Sequence, residues 1–303
     1  MSKVILAGGS GFIGNMLAGH FISEGDEVVI FSRSPQAGST GVKSVYWDAV
    51  TLGEWALELE GADVLINLTG KSVNCRYNDE NKALILSSRI NATYVLGEAL
   101  KKVKHPPELW INSASATIYR HADDRPQDEE TGEIGKGFSV EVCEAWEKAF
   151  YAHKIEGVRQ TALRIAITLG SKGGVFPYYH HLAKYGLGGR QGDGKQYFSW
   201  IHEDDLKGII DFIIEHKEIK GTLNVSSPHA IMNAELMQHF RKASGMPFGL
   251  PATKWMLQIG TWVMRTETEL ILKSRWVVPG RLLDSGYVFE VPYIDQAIAK
   301  CLK

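Results

Sequence analysis

The sequence predicts an α/β fold, in which a doubly wound parallel sheet is followed by a smaller, mixed lobe. The first observation is at the amino terminus, where the apolar run at residues 4–7 leads into a glycine-rich turn and then an amphipathic helix. A second β-branched run, residues 27–31, follows at the distance expected for a βαβ unit. Apolar runs and helical patterns then alternate to about residue 170, which is typical of a parallel sheet with helices on both faces.

The turn after the first strand contains Gly8, Gly11 and Gly14, spaced three residues apart. Glycine allows a sharp turn and lets a pyrophosphate approach with no Cβ in the way. Phe12 and Ile13 begin the following helix, whose free N–H groups and positive dipole end favour an anion. A lone glycine triplet is usually only a turn, but the strand before it and the helix after it favour a Rossmann-type dinucleotide site.

The second strand ends at Ser32 and Arg33, where the adenosine ribose of a dinucleotide is expected. An acidic residue at this place binds the 2′-hydroxyl of NAD, whereas an arginine accepts the 2′-phosphate of NADP. Arg33 has no acidic residue beside it in the sequence, and the alternative is a solvated loop arginine. We therefore predict that the cofactor is NADP(H).

The fourth strand is predicted at residues 64–70, a near-continuous apolar run that indicates a buried parallel strand. Ligands of open α/β sheets bind outside the carboxyl ends of the strands. We therefore expect Leu68, Thr69 and Gly70 to face the cofactor.

The remaining pattern divides the chain into two lobes. We predict a helix from Asn78 to about Lys101, a strand at 108–112, a helix at about 139–153 and a strand at 160–166. After Gly174 the composition shifts to aromatic residues, histidines and glycines without clean βα alternation. We expect a dinucleotide-binding domain at residues 1–170, to which residues 203–226 return, and a smaller substrate lobe at 171–303.

Composition and charge exclude several classes of protein. The chain has 33 Lys+Arg against 35 Asp+Glu, which gives no basis for nucleic acid or an anionic membrane as a partner. Its three cysteines are scattered, which argues against a disulfide framework or a CxxC metal site. No apolar run approaches the roughly 18 residues of a membrane span. We expect a cytoplasmic protein without a metal that acts on a small molecule; its oligomeric state stays open.

The glycine spacing is G-x-x-G-x-x-G, and the form GGSGFIG resembles the extended, epimerase-like branch of the short-chain dehydrogenase/reductase superfamily. The segment at residues 278–287 and the pair Ser88-Arg89 resemble one atypical set in that branch, the epimerase-family proteins of the YfcH type. The similarity covers nearly the whole chain, so it implies the fold, a nicotinamide cofactor and the positions of several site residues.

Three further site residues depend on this resemblance. Asp48 matches a position near the adenine ring, although a turn or a helix cap explains it equally well. Asn91 matches the asparagine of an N-V-x-G-T segment that positions the active site, and we group it with the cofactor-binding residues. Residues 113–119 look like an S-S-x-x-V-Y segment, which places Ser115 at the catalytic serine.

The superfamily's Y-x-x-x-K pair is missing from its expected place. In that pair the tyrosine exchanges a proton with the substrate, and the lysine lowers the tyrosine pKa from the same helix face. The resemblance places Ser139 and Cys143 at these two positions, and a buried, inert thiol is the expected state of Cys143. The substitutes nearest in sequence are Ser115, Tyr119 and Glu144. We take Ser115 and Tyr119 as the candidate catalytic residues, although a tyrosine at 119 is more often a packing residue.

Two functions of different classes follow. The first is an NADP(H)-binding oxidoreductase or epimerase-like enzyme that acts on a small hydroxyl or carbonyl substrate; the presence of Ser115 and Asn91 favours it. The second is a catalytically weak NADP-binding regulatory or sensor protein with a protein partner, which the missing dyad favours. A sugar-nucleotide epimerase is less favoured than either, because its redox cycle needs the tyrosine.

Overall fold

The computed structural model describes residues 1–35, 41–263 and 267–303. Its strands are β1 (Lys3–Ala7), β2 (Glu27–Ser32), β3 (Val42–Tyr46), β4 (Val64–Asn67), β5 (Leu109–Ser115), β6 (Arg159–Ile165), β7 (Ile167–Gly170), β8 (Gly173–Gly174), β9 (Tyr197–Phe198), β10 (Trp200–His202), β11 (Gly221–Val225) and β12 (Ile231–Met232). Its α-helices are α1 (Phe12–Ser23), α2 (Asp79–Leu100), α3 (Phe138–Ala152), α4 (Phe176–Lys184), α5 (Glu203–Glu215), α6 (Asn233–Ala243), α7 (Lys254–Val263), α8 (Glu269–Leu272), α9 (Gly280–Asp284) and α10 (Ile294–Cys301).

The central sheet has seven parallel strands in the order β11-β6-β5-β4-β1-β2-β3. Successive side chains of a strand point to opposite faces, so each buried strand needs cover on both sides. Val4 and Leu6 of β1 pack in one apolar cluster with α1 and α5, whereas Ile5 and Ala7 pack in another with α2 and α3. The predicted doubly wound α/β fold is confirmed.

The order of the strands has a switch point at β1, which lies between β4 and β2. The backbone ties the carboxyl ends of these three strands together, because the Leu68 N–H donates to the Ala7 carbonyl at 2.8 Å and the Gly8 N–H to the Phe31 carbonyl at 2.9 Å. In open α/β sheets a switch point of this kind leaves a crevice outside the strand ends. The glycine turn therefore begins at the edge where a ligand is expected.

Two long helices, α2 and α3, lie on one face of the sheet beside this crevice. The helix α2 begins as predicted, because the Asn78 side chain accepts a hydrogen bond from the Asn81 N–H at 2.8 Å, and Asp79 and Glu80 occupy the first turn. The helix α3 packs against α2 through buried side chains that include Trp146. These helices therefore form one wall of the crevice.

The carboxyl-terminal part combines short helices with small sheets. A three-stranded sheet contains β10, β7 and β8, and a two-stranded antiparallel sheet contains β12 and β9. The strand β11 pairs with β6 and so lies in the central sheet, while the predicted lobe boundary near residue 170 stays a prediction. Within the described residues, no helix combines the length and the apolar character needed to cross a membrane.

Candidate functional site

A cavity of about 620 Å³ lies at the switch point of the central sheet. The glycine turn after β1, the loop after β4, the end of β5 and the helix α3 all contribute to its lining. Among the residues that the sequence assigned to the site, the lining includes Gly8, Gly11, Phe12, Ile13, Gly14, Leu68 and Ser115. The predicted nucleotide turn and the predicted catalytic serine thus share one cavity.

The three glycines of the turn are needed for different reasons. A Cβ on Gly8 would lie 2.6 Å from the Thr69 hydroxyl oxygen, and a Cβ on Gly14 would overlap the Gly9 carbonyl group, so packing explains both glycines. A Cβ on Gly11 would meet no described atom within 4 Å. The Gly11 backbone is extended, with φ −88° and ψ −175°, so any residue could adopt it. The space beside Gly11 is the space a pyrophosphate needs, and the turn therefore fits a dinucleotide.

The start of α1 provides the electrostatic part of this site. Its first turn, from Phe12, contains no acidic residue. The unpaired N–H groups and the positive dipole end of the helix therefore meet the cavity without a competing carboxylate. This arrangement favours an anionic group beside Gly11.

A second cavity, of about 250 Å³, lies between α1 and the strands β2 and β3. Four serines contribute to its lining, Ser10, Ser32, Ser34 and Ser44, and none of the described lining residues is acidic. Arg33 is exposed at the end of β2, directly after Ser32. Hydroxyl groups beside an arginine can donate hydrogen bonds to a phosphate. A ribose 2′-hydroxyl is usually bound by a carboxylate, and no carboxylate is among the described lining residues of this cavity.

Five predicted cofactor residues do not line either cavity: Arg33, described above, and Asp48, Thr69, Gly70 and Asn91. Thr69 lies against Gly8, and Gly70 lies against the Arg89 guanidinium. The Asp48 carboxylate accepts hydrogen bonds from the N–H groups of residues 50 and 51, so it closes a turn, which is the alternative that the sequence left open. Asn91 is exposed on α2. Contact of these residues with a cofactor stays a prediction.

Tyr119 is buried away from the described lining of the cavity. Its hydroxyl donates to the Asn224 Oδ1 at 2.9 Å and accepts from the Arg164 Nη1 at 2.8 Å. Arg164 is held in turn by the Glu147 carboxylate. Burial raises the pKa of Tyr119, despite the opposing effect of Arg164. The predicted catalytic role of Tyr119 requires that its hydroxyl donate a proton in the cavity. Tyr119 is not placed to do so.

Ser115 ends β5 and faces the same cavity as Ser139 and Cys143 of α3. The Ser115 Oγ accepts a hydrogen bond from the Thr117 N–H at 3.2 Å, which leaves its own proton available to a ligand. Burial and, secondly, the nearby Glu147 carboxylate raise the pKa of the Cys143 thiol to about 11. Cys143 is thus a neutral, inert thiol at physiological pH, as expected from the sequence.

Sequence reasoning missed Tyr77 and Arg89 as site residues. Both line the cavity, and Arg89 is the only charged side chain among the described lining residues. The Arg89 guanidinium lies 5.0 Å from the centroid of a Trp146 ring and packs on Gly70. Its Nη1 donates to the carbonyls of Lys71 and Ile85, at 3.1 and 2.9 Å. The only signal in the sequence was the Ser88-Arg89 pair, which indicated a family and not a role.

A buried network supports this wall of the cavity. The Thr93 hydroxyl accepts from the Asn67 Nδ2 at 3.2 Å and from the Trp146 indole at 3.1 Å, and it donates to the Arg89 carbonyl at 2.8 Å. Thr93 therefore joins β4, α2 and α3 at one point. Sequence reasoning selected Asn91, two positions earlier, and not Thr93. The signal that could have identified Thr93 is a polar residue beside the buried stripe of α2.

His202 is buried at the amino-terminal cap of α5. Its Nδ1 accepts a hydrogen bond from the Asp204 N–H at 3.1 Å. This contact satisfies a free donor of the first helical turn, so His202 caps the helix α5. Across residues 1–35, 41–263 and 267–303, no group of three or more His, Cys, Asp or Glu side chains could hold a metal ion.

Comparison with known proteins gives matches along nearly the whole chain. The model of the NAD dependent epimerase/dehydratase family matches residues 4–226, and that of a domain of unknown function, DUF1731, matches residues 252–301. The mouse epimerase family protein SDR39U1 is 31% identical over 300 residues, which cover 98% of either chain. The Bacillus subtilis epimerase family protein YfhF is 29% identical over 308 residues, 99% of this chain and 98% of its own. The crystal structure of human epimerase family protein SDR39U1 (isoform 2) with NADPH superposes with a TM-score of 0.88 at 29% identity, covering 99% of this chain and 98% of that one.

Proposed function

The chain belongs to the NAD dependent epimerase/dehydratase family, and on that premise we propose that it binds NADP(H) and transfers hydride between this cofactor and a small hydroxyl or carbonyl substrate. One observation carries the proposal: the open space at Gly11 and the Ser115 hydroxyl belong to the same cavity. A cofactor at the turn would therefore extend toward a polar group that can hold a reacting oxygen. The similar human protein was crystallised with NADPH.

The choice of NADP(H) over NAD(H) is supported by the second cavity. Ser10 and Ser32 provide hydroxyl groups there, and Arg33 follows at the surface. A 2′-phosphate needs donors and positive charge, whereas a free ribose hydroxyl pair usually meets a carboxylate. The described lining of this cavity has no carboxylate.

In this proposal the chain's own residues bind and orient the reactants. NADPH, when bound, supplies the hydride. The turn at Gly11 and the free N–H groups of α1 would hold the pyrophosphate of the cofactor. Ser115 donates a hydrogen bond to the reacting oxygen of the substrate, and the buried Trp146 and Val142 help to exclude water from that oxygen.

A second function, a catalytically weak NADP-binding sensor with a protein partner, is supported by the side chains of α3. Ser139 and Cys143 stand at the positions where the resemblance expects the tyrosine and lysine of the catalytic pair. Both side chains are neutral at neutral pH, and neither is an acid strong enough to donate a proton readily. Loss of general acid–base assistance typically slows a reaction about 10²–10⁴-fold. The cytoplasmic location, the absence of nucleic-acid and membrane partners, and the oligomeric state stay predictions.

A titration followed by a turnover assay separates the two functions. NADPH and NADH are titrated by fluorescence, and NADPH oxidation is then measured with a panel of aldehydes and ketones. We expect tighter binding of NADPH, and a fall in turnover of about 10²-fold in Ser115→Ala with nucleotide affinity nearly unchanged. Binding without turnover of any compound would favour the sensor, and binding of neither nucleotide would overturn both functions.

A further inference from the structure

Reduction of a carbonyl requires a proton at the oxygen, and the described lining of the cavity has few groups that can supply one. Tyr119 is engaged elsewhere, and Cys143 is a buried thiol with Glu147 nearby. Tyr77 is the only phenol and Arg89 the only cation among the described residues that line the cavity. The candidate proton donor is therefore Tyr77, in the segment before α2.

Tyr77 is held between the start of α3 and the carboxyl-terminal segment. Its ring packs edge-on against the Phe138 ring, with the centroids 5.1 Å apart at 70°. Its backbone N–H donates to the Glu267 carboxylate at 2.9 Å. Ser139, which follows Phe138 in α3, lines the same cavity as Tyr77. The Tyr77 ring thus lies against Phe138, the residue before the position on α3 where the resemblance expects the tyrosine.

Arg89 brings a cation to the cavity that Tyr77 lines. Its guanidinium is confined between Gly70 and Trp146, and in the described part of the chain no carboxylate lies within ion-pair distance of it. The charge of Arg89 acts on Cys143, the residue at the expected lysine position, and on Tyr77. The loop before α2 and α2 itself therefore bring one phenol and one cation to the same cavity.

The surrounding lining indicates the class of substrate. Val73, Val142, Val175 and Leu270 contribute apolar surface to the cavity that Tyr77 and Arg89 share. With one cation and no carboxylate among the described lining residues, the cavity offers little to a second, highly charged ligand beside the cofactor. A compact, largely apolar carbonyl compound matches this lining.

Resting on the function proposed above, we propose that Tyr77 is the proton donor and Arg89 its charge partner in the reduction of a compact, largely apolar aldehyde or ketone. The carbonyl carbon accepts the hydride that NADPH supplies, and the electron pair of the C=O π bond moves to the oxygen. That oxygen takes the proton of the Tyr77 hydroxyl, which leaves an alcohol and a phenolate. Arg89 stabilises the phenolate until water returns the proton.

The charged groups around Tyr77 agree with a donor that is protonated at rest. Burial raises the pKa of Tyr77, the nearby Ser139 hydroxyl lowers it, and Glu269, Cys75 and Glu267 raise it. Arg89 from α2 and Arg275 from the carboxyl-terminal segment favour the phenolate. The phenol is thus neutral at physiological pH. The two arginines would stabilise the negative charge of the phenolate that forms when Tyr77 donates its proton.

The first test needs no substrate. Protein carrying ¹³Cζ-tyrosine is saturated with NADP⁺ and titrated by NMR, and the Tyr77 signal is identified by its loss in Tyr77→Phe. We expect Tyr77 to titrate at a higher pH in Arg89→Gln than in the wild type, and Arg89→Lys to restore the wild-type value because it keeps the charge. An unchanged Tyr77 titration in folded Arg89→Gln overturns the pair.

The second test is turnover with aromatic aldehydes and cyclic ketones. Tyr77→Phe should lower kcat about 10²–10⁴-fold with the NADPH Kd unchanged. The matched control is Tyr151→Phe, because Tyr151 is also half-buried, its hydroxyl bonds Thr222 at 3.0 Å, and it does not line the described cavity. Near wild-type kcat in Tyr77→Phe, or an equal loss in both variants, overturns the assignment.

The two proposals fail in different ways. A wild-type protein that binds no NADPH contradicts the proposed function. If the wild-type protein binds NADPH but Tyr77 titrates at the same pH in the wild type and in Arg89→Gln, only the donor pair is contradicted. If the wild type reduces no member of the panel, the titration alone decides the donor pair.

Discussion

At the nucleotide end of the cavity, one continuous stretch, residues 4–14, supplies the strand, the turn and the start of the helix. At the reaction end, Tyr77, Arg89, Ser115 and Ser139 come from four separate segments of the chain. The first end depends mainly on backbone N–H groups and on empty space at Gly11. The second depends on side chains whose positions are fixed by packing between α2, α3 and β5. A substitution should therefore act by steric exclusion at the first end and through chemistry at the second.

The largest effect is expected for Gly11→Val. The Cβ would meet no described atom within 4 Å, so the fold should be kept while the new side chain fills the place of the pyrophosphate. NADPH binding should be lost in a fluorescence titration, with normal thermal unfolding. Gly260→Val is the matched control, because a Cβ there also meets no described atom within 4 Å and Gly260 does not line either cavity. Wild-type affinity in folded Gly11→Val would place the pyrophosphate elsewhere.

The thiols test whether the reaction end has a nucleophile. Cys143, with a pKa of about 11, is about one part in a thousand thiolate at pH 8, and it is buried. Iodoacetamide at that pH should modify the half-buried Cys75 and leave Cys143 unmodified, as measured by peptide mass spectrometry. Urea-unfolded protein, in which every thiol is accessible, is the control. Equally fast labelling of Cys143 in the folded protein would contradict its inert role.

Arg33→Ala tests the adenosine side of the nucleotide end. A hydrogen bond to a charged group contributes about 1.5–3 kcal/mol, so NADPH affinity should fall roughly ten- to hundredfold. NADH affinity should change little, because NADH has no 2′-phosphate. Arg190→Ala removes another exposed arginine, which lies in the loop after α4 and not at the end of β2, and should leave both affinities unchanged. Equal losses for the two nucleotides in Arg33→Ala would count against a contact with the 2′-phosphate.

The smallest effect on the cavity is expected for Tyr119→Phe. The change removes a buried hydroxyl that bonds Asn224 and Arg164, so the free energy of unfolding should fall by about 1–3 kcal/mol in a urea titration. Turnover and NADPH affinity should stay near the wild-type values, in contrast to Tyr77→Phe. A fall in kcat of about 10²-fold with normal stability would return the proton donor to Tyr119.

The sequence by itself determined the fold class, the family and much of the nucleotide end. The turn at Gly8, Gly11 and Gly14 was identifiable because a strand, a turn and a helix are local patterns, and all three lie within about one βαβ unit. The cap at Asn78 likewise located the start of α2 to within a residue. The resemblance to epimerase-family proteins was confirmed by a family match over residues 4–226.

Only the tertiary structure decided which side chains meet at the reaction end. Tyr119 contacts Asn224, which is 105 positions away in sequence, and no local pattern predicts that this contact draws the phenol away from the cavity. Thr93 and not Asn91 faces inward on α2, because the rotation of the helix is set by its packing on β4 and α3. The positions of Tyr77 and Arg89 in the cavity likewise depend on how α2 and the loop before it pack against the rest of the fold. Periodicity shows which stripe of a helix is buried, but the partner of each side chain depends on contacts between segments distant in sequence.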